Sequence, residues 1–207
     1  MQQLKEMVKT GKADDTVKHV KRLLDEGSSP EALMKEAMIP AMDEVGDLFQ
    51  KGEYFLPEML VAGEAMKKGL EVLKPMLIKS GVEPSGKVLI GTVKGDLHDI
   101  GKNIVGIALE GAGFQVIDLG TDISPEKFVE AIKEHNPQIV GLSALLTTTM
   151  IAMKDTIEAI KAAGLRDHVK IMIGGAPIRQ EFADDIEADY YGPDSPSGVK
   201  YARSVVS

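Results

Sequence analysis

The segment 95–101, which reads Gly-Asp-Leu-His-Asp-Ile-Gly, holds the residues best suited to chemistry. It places His98 two residues after Asp96 and three before Gly101. Neutral imidazole is a common metal ligand, and a ligating histidine usually donates its other ring N–H to a carboxylate, the role that we assign to Asp96. Gly101 has no side chain and would let a bulky ligand lie against the backbone. Taken alone, the segment equally fits a loop histidine beside an aspartate, Asp96 or Asp99, that caps the following helix.

A metal held here would need ligands that the protein does not supply. The sequence has no cysteine, and we expect the other histidines, His19, His135 and His168, to be solvated. One imidazole cannot make a zinc site of three or four protein ligands. The metal would therefore bring most of its coordination sphere with it, as the metal of a macrocycle does.

Composition excludes several classes of partner. The 207 residues carry 24 basic and 32 acidic side chains, which gives a net charge of −8, and the basic residues form no stripe. Nucleic acid is therefore not expected as a partner. No apolar run approaches the ~20 residues that span a bilayer, and the sequence opens with Met-Gln-Gln rather than a basic and then apolar segment. We expect a cytoplasmic protein without a membrane partner.

The first eighty residues are predicted to form a helical bundle, because apolar residues recur at steps of three and four. Ser29 before Pro30 is typical of an N-cap followed by proline at the first helical position, and Pro40 should kink or divide that helix. Three apolar stripes define the helices: Val17, Val20 and Leu24; Leu33, Ala37, Ala41, Val45 and Leu48; and Leu56, Met59, Gly63, Met66, Leu70, Leu73 and Leu77. Glycine, proline and serine at 79–86 indicate a linker, with a domain boundary near residue 84.

The remainder alternates short apolar runs with helical stretches, which predicts a parallel sheet. The fold class is therefore α/β, a helical bundle followed by a flavodoxin-like (Rossmann-like) five-stranded parallel sheet. The predicted strands are 88–93, 114–119, 139–145, 170–173 and, more weakly, 188–191. The predicted helices are 101–110, 125–134, 150–163, about 178–186, and the tail after residue 196.

Three loops should meet at one edge of this sheet. Ligands of open parallel sheets bind beyond the carboxyl ends of the strands, where the strand order reverses. The loops 95–101, 143–149 and 174–176 follow three of the predicted strands and offer an imidazole, a row of hydroxyls and a wall without side chains. Each has a local explanation, since the threonines could cap a helix and the glycines could end a strand. Their coincidence favours a large metal-bearing ligand.

The same residues resemble the corrinoid proteins of methyltransferase systems, of the methylamine, methanol and methoxy types, and the cobalamin-binding region of methionine synthase. The resemblance runs from about Pro30 to Gly198. It rests on Asp-Leu-His-Asp-Ile-Gly at 96–101, on Ser-Ala-Leu at 143–145 followed by Thr147, and on the glycines at 174–175. A further element is Pro-Ala-Met-Asp-Glu-Val-Gly-Asp-Leu-Phe at 40–49, which leads to Glu-Tyr-Phe-Leu-Pro-Glu at 53–58.

The resemblance implies a cofactor, cobalamin or a related corrinoid in its methylcobalamin form, and a role for each motif. It implies a helical cap domain at 1–84 and a cobalamin-binding domain at 85–207. His98 would displace the cofactor's own base and bind cobalt from below, backed by Asp96 and by Thr149, where the family has a serine. The implied cofactor-binding residues are Gly95, Asp96, Leu97, His98, Asp99, Ile100, Gly101, Ser143, Leu145, Thr147, Gly174, Gly175 and Ala176, with Phe49, Phe55, Leu56 and Met59 covering the upper face.

The implied function is that of a methyl carrier which is not catalytic alone. Cobalt(I) would accept a methyl group through a donor-specific methyltransferase and pass it, through an acceptor methyltransferase, to coenzyme M or tetrahydrofolate. A reductive-activation protein is the third implied partner. The alternatives are a cobalamin-dependent sensor, the small subunit of an adenosylcobalamin mutase, and a flavodoxin-like domain without a cofactor.

Overall fold

The first half of the chain is helical, as its apolar spacing predicts. The computed structural model describes residues 1–79 and 84–206. The helices of the first range are α1 (Gln2–Lys9), α2 (Ala13–Asp25), α3 (Pro30–Leu33), α4 (Ile39–Gln50) and α5 (Leu56–Lys79). The largest buried side chains of this range include Leu4, Leu33, Met38, Met66 and Leu73. None of the helices in the described ranges combines the length and the apolar character that crossing a membrane requires.

The predicted start and interruption of the second helix are both present. The Ser29 hydroxyl accepts a hydrogen bond from the Ala32 N–H at 3.1 Å, and Pro30 occupies the first position of α3. A π-helical segment, Met34–Met38, separates α3 from α4, and Pro40 lies in the first turn of α4. Because proline lacks an N–H, the α-helical hydrogen-bond ladder cannot run through this position unchanged.

The expectation that His19 is solvated was wrong. The buried residues of α2 are Thr16, His19 and Val20. Two of the three, Thr16 and His19, are polar. His19 is only 7% exposed. Burial is the main cause that lowers the pKa of His19, and the nearby Arg22 charge adds to it. The neutral imidazole is therefore the form that suits the folded helices.

We expect acid to weaken the helical unit through His19. A histidine whose pKa is lowered by folding contributes fully above its unfolded pKa of about 6.5, and the contribution is lost as the pH falls below that value. The melting temperature of the wild-type chain should therefore fall more between pH 7.5 and pH 5.5 than that of a His19→Gln variant. Thermal melts of both, with the exposed His168→Gln as control, measure the difference; equal slopes for His19→Gln and wild type would contradict this account.

The second half forms the predicted parallel sheet. Its strands are β1 (Lys87–Thr92), β2 (Gln115–Asp118), β3 (Ile139–Ser143), β4 (Lys170–Gly174) and β5 (Tyr190–Tyr191). They are parallel throughout and run in the order β2-β1-β3-β4-β5. The order reverses at β1, which lies between β2 and β3. The predicted flavodoxin-like fold class is confirmed.

The helices of the sheet region follow the predicted positions closely. They are α6 (Ile100–Gly111), α7 (Pro125–His135), α8 (Ile151–Ala162), α9 (Gln180–Asp185) and α10 (Ser195–Val206), with a 3-10 turn at Arg166–His168. One buried cluster includes Leu89 of β1, Val140 of β3, Ile171 of β4, Phe128 of α7 and Ile157 of α8. Strands β1, β3 and β4 are thus held rigidly, and so are the points where they end.

The chain divides into two compact units. One comprises Met1–Pro84 with Glu110–Gly113, and the other comprises Ser85–Leu109 with Phe114–Ser207. The predicted linker at 79–86 falls largely on residues 80–83, which lie outside the described ranges.

Candidate functional site

His98 lies in the loop between β1 and α6, at the carboxyl end of β1. Its Nδ1 is 2.8 Å from Oδ1 of Asp96, and its backbone N–H donates to the same oxygen at 3.0 Å. An ionised carboxylate only accepts, so the proton of a neutral imidazole lies on Nδ1 and the lone pair on Nε2. Nε2 makes no hydrogen bond to any described residue, and the side chain is 51% exposed. The ring is therefore oriented on one side and available to a ligand on the other.

Asp96 is fully buried and holds the imidazole in place. Its Oδ2 accepts hydrogen bonds from the N–H groups of Leu145 and Leu146 at 2.8 and 3.2 Å and from the Thr149 hydroxyl at 2.7 Å. Burial alone would raise the pKa of Asp96, but these hydrogen bonds and those from His98 outweigh it and lower the pKa well below its usual range. Asp96 is therefore a carboxylate at neutral pH and accepts the hydrogen bond from Nδ1 of the imidazole.

The structure brings His98, Asp96 and Thr149 together in the order that the sequence predicts. Thr149 is 8% exposed, and its Oγ1 lies 2.7 Å from Asp96 and 2.9 Å from the Leu146 carbonyl. A threonine thus supplies the hydroxyl contact for which the family pattern uses serine. Strand β3 ends at Ser143, two residues earlier than predicted, because the backbone at 145 and 146 turns toward Asp96 instead of continuing the sheet.

We expect the Thr149 hydroxyl to stabilise the sheet unit through Asp96. Thr149→Val keeps the shape and removes the donor, which should lower the free energy of unfolding by about 1.5–3 kcal/mol, the usual contribution of a hydrogen bond to a charged group. Thr149→Ser keeps the hydroxyl and should retain most of the wild-type free energy of unfolding. Urea denaturation measures the effect, and Thr148→Val, at the exposed neighbour, is the control. Equal stability of the Thr149→Val variant and the wild-type protein would contradict this role.

Two glycines at the site, Gly101 and Gly175, differ in the space that a side chain would have. A Cβ built on Gly101 would meet nothing within 4 Å, so no contact within the chain explains its missing side chain. A Cβ on Gly175 would lie 1.8 Å from the Ala144 carbonyl oxygen, and the residue has φ of +140°. Gly175 is therefore needed by the chain itself, whereas the open space at Gly101 fits a ligand resting on the backbone.

The loop after β3 carries hydroxyls that no described residue uses. Ser143 is partly exposed and Thr147 is exposed, and neither side chain hydrogen-bonds within the described chain. Because β1, β3 and β4 are neighbours, these hydroxyls share the carboxyl edge of the sheet with the histidine loop and with Gly174 and the exposed Ala176. This edge can take a polar ligand tail.

Apolar side chains around the histidine are unusually exposed. They are Leu97 at 72%, Ile100 at 65%, Ile151 at 58%, and Leu145 and Leu146 at 42% each. The sequence analysis did not select Leu146 or Ile151, although an apolar residue in a polar sheet-edge loop is a signal that could have found them. Such a surface suits a broad, partly apolar molecule.

Lys102 and Asp118 are a second pair that the sequence analysis missed. Lys102 is 5% exposed, and its ammonium group pairs with Asp118 at the end of β2 and hydrogen-bonds Oδ1 of Asn103 at 2.7 Å. The pair ties the first turn of α6 to β2.

The four residues proposed from sequence as a cap lie in the helical unit. Phe55 is 63% exposed, Phe49 and Leu56 are partly exposed, and Met59 is only 2% exposed. The Phe55 N–H donates to Oε2 of Glu58 at 2.9 Å, a capping contact that fixes the start of α5. Phe55, Phe49 and Leu56 are thus available at the surface, and Met59 is not.

The donor set fits a metal that carries its own ligands. The described residues hold no group of three or more histidine, aspartate or glutamate side chains that could bind a bare ion. One oriented imidazole, an empty backbone cradle at Gly101 and unused hydroxyls at Ser143 and Thr147 suit one axial bond to a macrocycle and a pocket for its tail. These features together fit a corrinoid.

Comparison with known proteins identifies a family. A family model described as B12 binding domain matches residues 86–198, and a second model of that description matches residues 1–74. Trimethylamine corrinoid protein 1 of Methanosarcina acetivorans is 47% identical over 182 residues, 87% of this chain and 84% of that protein. Dimethylamine corrinoid protein 1 of the same organism is 41% identical over 208 residues, 100% of this chain and 97% of that protein.

A solved structure extends the similarity to three dimensions. A chain in the methanol:cobalamin methyltransferase complex MtaBC from Methanosarcina barkeri is 30% identical with a TM-score of 0.88, covering 98% of this chain and 78% of that one. Fold, site and similarity define a cobalamin-binding protein. The chain belongs to the corrinoid proteins of methyltransferase systems, and its cofactor is a corrinoid.

Proposed function

We propose that this chain is the methyl carrier of a methylamine methyltransferase system. The observation that carries the proposal is the half-exposed imidazole of His98, held at Nδ1 by the buried Asp96. Methylated amines are the proposed donors because two relatives named for trimethylamine and dimethylamine are 47% and 41% identical, against 30% for the methanol complex chain.

The cofactor supplies the methyl-transfer chemistry, because the cobalt of a bound corrinoid in its cobalt(I) form is a strong nucleophile that takes up a methyl group and then releases it. His98 would bind the metal through Nε2 while Asp96 holds Nδ1 and tunes the strength of the bond. Thr149 steadies Asp96. Ser143 and Thr147 would hold the tail of the cofactor, with Gly174, Gly175 and Ala176 as its backbone wall. Gly101 leaves room for the ring, and Leu97 and Ile100 offer it apolar contact.

The helical unit is proposed to shelter the reactive face of the cofactor. Phe49, Phe55 and Leu56 present apolar surface that would exclude water and oxygen between transfers. We assign the buried Met59 to the support of that surface. The cover must open for a partner enzyme, which is the usual behaviour of a lid.

We expect Phe55→Gln to speed the oxidation of the cobalt(I) form severalfold, because a polar side chain would replace an exposed aromatic one in the proposed cover. Absorption spectra after anaerobic reduction and controlled admission of air measure the rate. Met76→Gln, at the other end of α5, is the control, since Met76 is also an exposed apolar residue. Equal oxidation rates for the Phe55→Gln and Met76→Gln variants would show that Phe55 does not shelter the cofactor.

Methyltransferases are the partners of this family, and the proposal assigns three proteins to the cycle. A donor-specific methyltransferase loads the methyl group, an acceptor methyltransferase passes it to coenzyme M or tetrahydrofolate, and a reductive-activation protein restores the reduced state after oxidation. The proposal includes a cytoplasmic location, where reducing conditions would protect the carrier. It includes no nucleic-acid partner, in keeping with the net charge of −8.

The deciding experiment loads the purified chain with corrinoid and pairs it with a candidate amine methyltransferase. We expect amine-dependent methylation of the reduced, loaded chain, observed as a change in its absorption spectrum, and none with the apo chain. A loaded chain that no methylamine, methanol or methoxyaromatic methyltransferase can methylate would contradict the carrier function. A strong preference for the adenosyl cofactor would favour the mutase alternative instead.

A further inference from the structure

The loop after β2 holds the histidine loop from the side opposite Thr149. The Gly95 N–H donates to Oδ1 of Asp122 at 2.7 Å, and the Asp122 N–H donates to the Asp96 carbonyl at 3.0 Å. Asp122 thus makes one side-chain and one backbone contact to two consecutive residues of the histidine loop. Two hydrogen bonds to consecutive residues restrict both the rotation and the displacement of the histidine loop.

Further hydrogen bonds join the loop that contains Asp122 to strand β1. The Thr92 N–H donates to the Gly120 carbonyl and the Ile123 N–H donates to the Thr92 carbonyl, both at 3.0 Å. The Thr92 hydroxyl, fully buried, donates to the carbonyl of His98 itself at 3.0 Å. The loop after β2 is therefore hydrogen-bonded to β1 on both sides of Asp122. The position of Asp122 relative to Gly95 is fixed by these bonds.

The backbone at Asp122 and at Gly95 is left-handed, with φ of +55° and +81°. A non-glycine residue at positive φ is uncommon, although aspartate tolerates it better than most. Glycine would adopt the same conformation freely. The presence of aspartate at 122 is thus explained by what its side chain binds, the Gly95 N–H, and not by the needs of the turn.

We propose that Asp122 is a positioning residue for His98. It fixes the backbone of the histidine loop at 95 and 96, while Leu145, Leu146 and Thr149 fix the Asp96 carboxylate, and the two restraints together set the direction of the imidazole. As a role in ligand orientation, the inference rests on the proposed function. Asp122 is exposed and acts through Gly95 and Asp96, so it touches the ligand-binding imidazole only indirectly.

The test compares Asp122→Gly with Asp122→Asn. Glycine removes the acceptor and keeps the left-handed turn, whereas asparagine keeps an acceptor oxygen and also tolerates the turn. Asn136→Gly is the matched control, because Asn136 is another exposed residue with positive φ, +47°, at the end of α7. In the apo chain we expect amide hydrogen exchange at Gly95 to be about tenfold faster in Asp122→Gly, near the wild-type rate in Asp122→Asn, and unchanged in Asn136→Gly.

The second measurement is made on the corrinoid-loaded chain. Electron paramagnetic resonance of the cobalt(II) state reports nitrogen coordination, and we expect the ratio of histidine-bound to unbound cofactor to fall about tenfold in Asp122→Gly and to recover in Asp122→Asn. Unchanged exchange at Gly95, or faster exchange with unchanged coordination, would overturn the role of Asp122. A wild-type chain that takes up no corrinoid would instead overturn the proposed function, whatever the exchange rates are.

Discussion

His98→Gly should abolish the nitrogen-bound spectrum of the loaded chain and slow methyl transfer by at least on the order of 100-fold, because the loss of a metal ligand exceeds the usual 10–100-fold cost of altering its hydrogen-bond partner. The fold should survive, since the His98 side chain is 51% exposed and its one side-chain hydrogen bond to a described residue is with Asp96. Absorption spectra and electron paramagnetic resonance of the loaded variant measure the loss.

The His98→Gly variant also permits a rescue. Free imidazole added to the loaded variant should restore part of the nitrogen-bound spectrum, because removal of the ring leaves room for a substitute ligand. His168→Gly, at an exposed residue of the 3-10 turn, is the control and should keep the wild-type spectrum. A loaded His98→Gly variant with an unchanged spectrum would show that another atom binds the metal.

Asp96→Asn should have the second largest effect, on stability and on ligand binding together. Both carboxylate oxygens accept hydrogen bonds from backbone N–H groups, so an amide nitrogen on either side would face a donor. We expect a loss of about 3 kcal/mol in the free energy of unfolding, since a buried donor is left unpaired and a charge-assisted contact is lost. Histidine coordination should weaken about 10–100-fold.

The effect of Asp96→Asn should depend on pH. Folding lowers the pKa of Asp96, so its contribution is fully present above the ordinary carboxyl pKa of about 3.9 and is lost as the pH falls through the lower folded value. Urea denaturation at pH 7 and at pH 3 should show that the wild type loses part of its advantage over the variant at the lower pH, because pH 3 lies below the unfolded pKa but still above the folded one. Asp99→Asn in the same loop is the control and should change stability by less than about 0.5 kcal/mol.

The elements of the fold could be predicted because their signals are periodic. Five strands and the helices between them follow from short apolar runs and from steps of three and four. The error at α2 has a physical cause, because reading apolar residues alone selected Val17, Val20 and Leu24, whereas Thr16 and His19 are buried with Val20. Polar residues on a buried face carry no apolar signal.

The sequence predicts the part of the site that consists of side chains, but not the backbone groups that complete it. Asp96, His98 and Thr149 were identified from residue types and a family pattern, and the structure places them in contact. The N–H groups of Leu145 and Leu146 that hold Asp96 could not be found in this way, since every residue except proline has one. The contact of Asp122 with Gly95 has the same limitation, because it depends on how two loops meet.

The network around Asp96 has a consequence for the order of assembly. Asp96 precedes its partners at 145–149 by about fifty positions, so in a nascent chain that has reached only the first of these loops Asp96 can bind His98 but lacks the contacts that fix its own carboxylate. We therefore expect productive binding of the corrinoid to follow the pairing of β3 with β1.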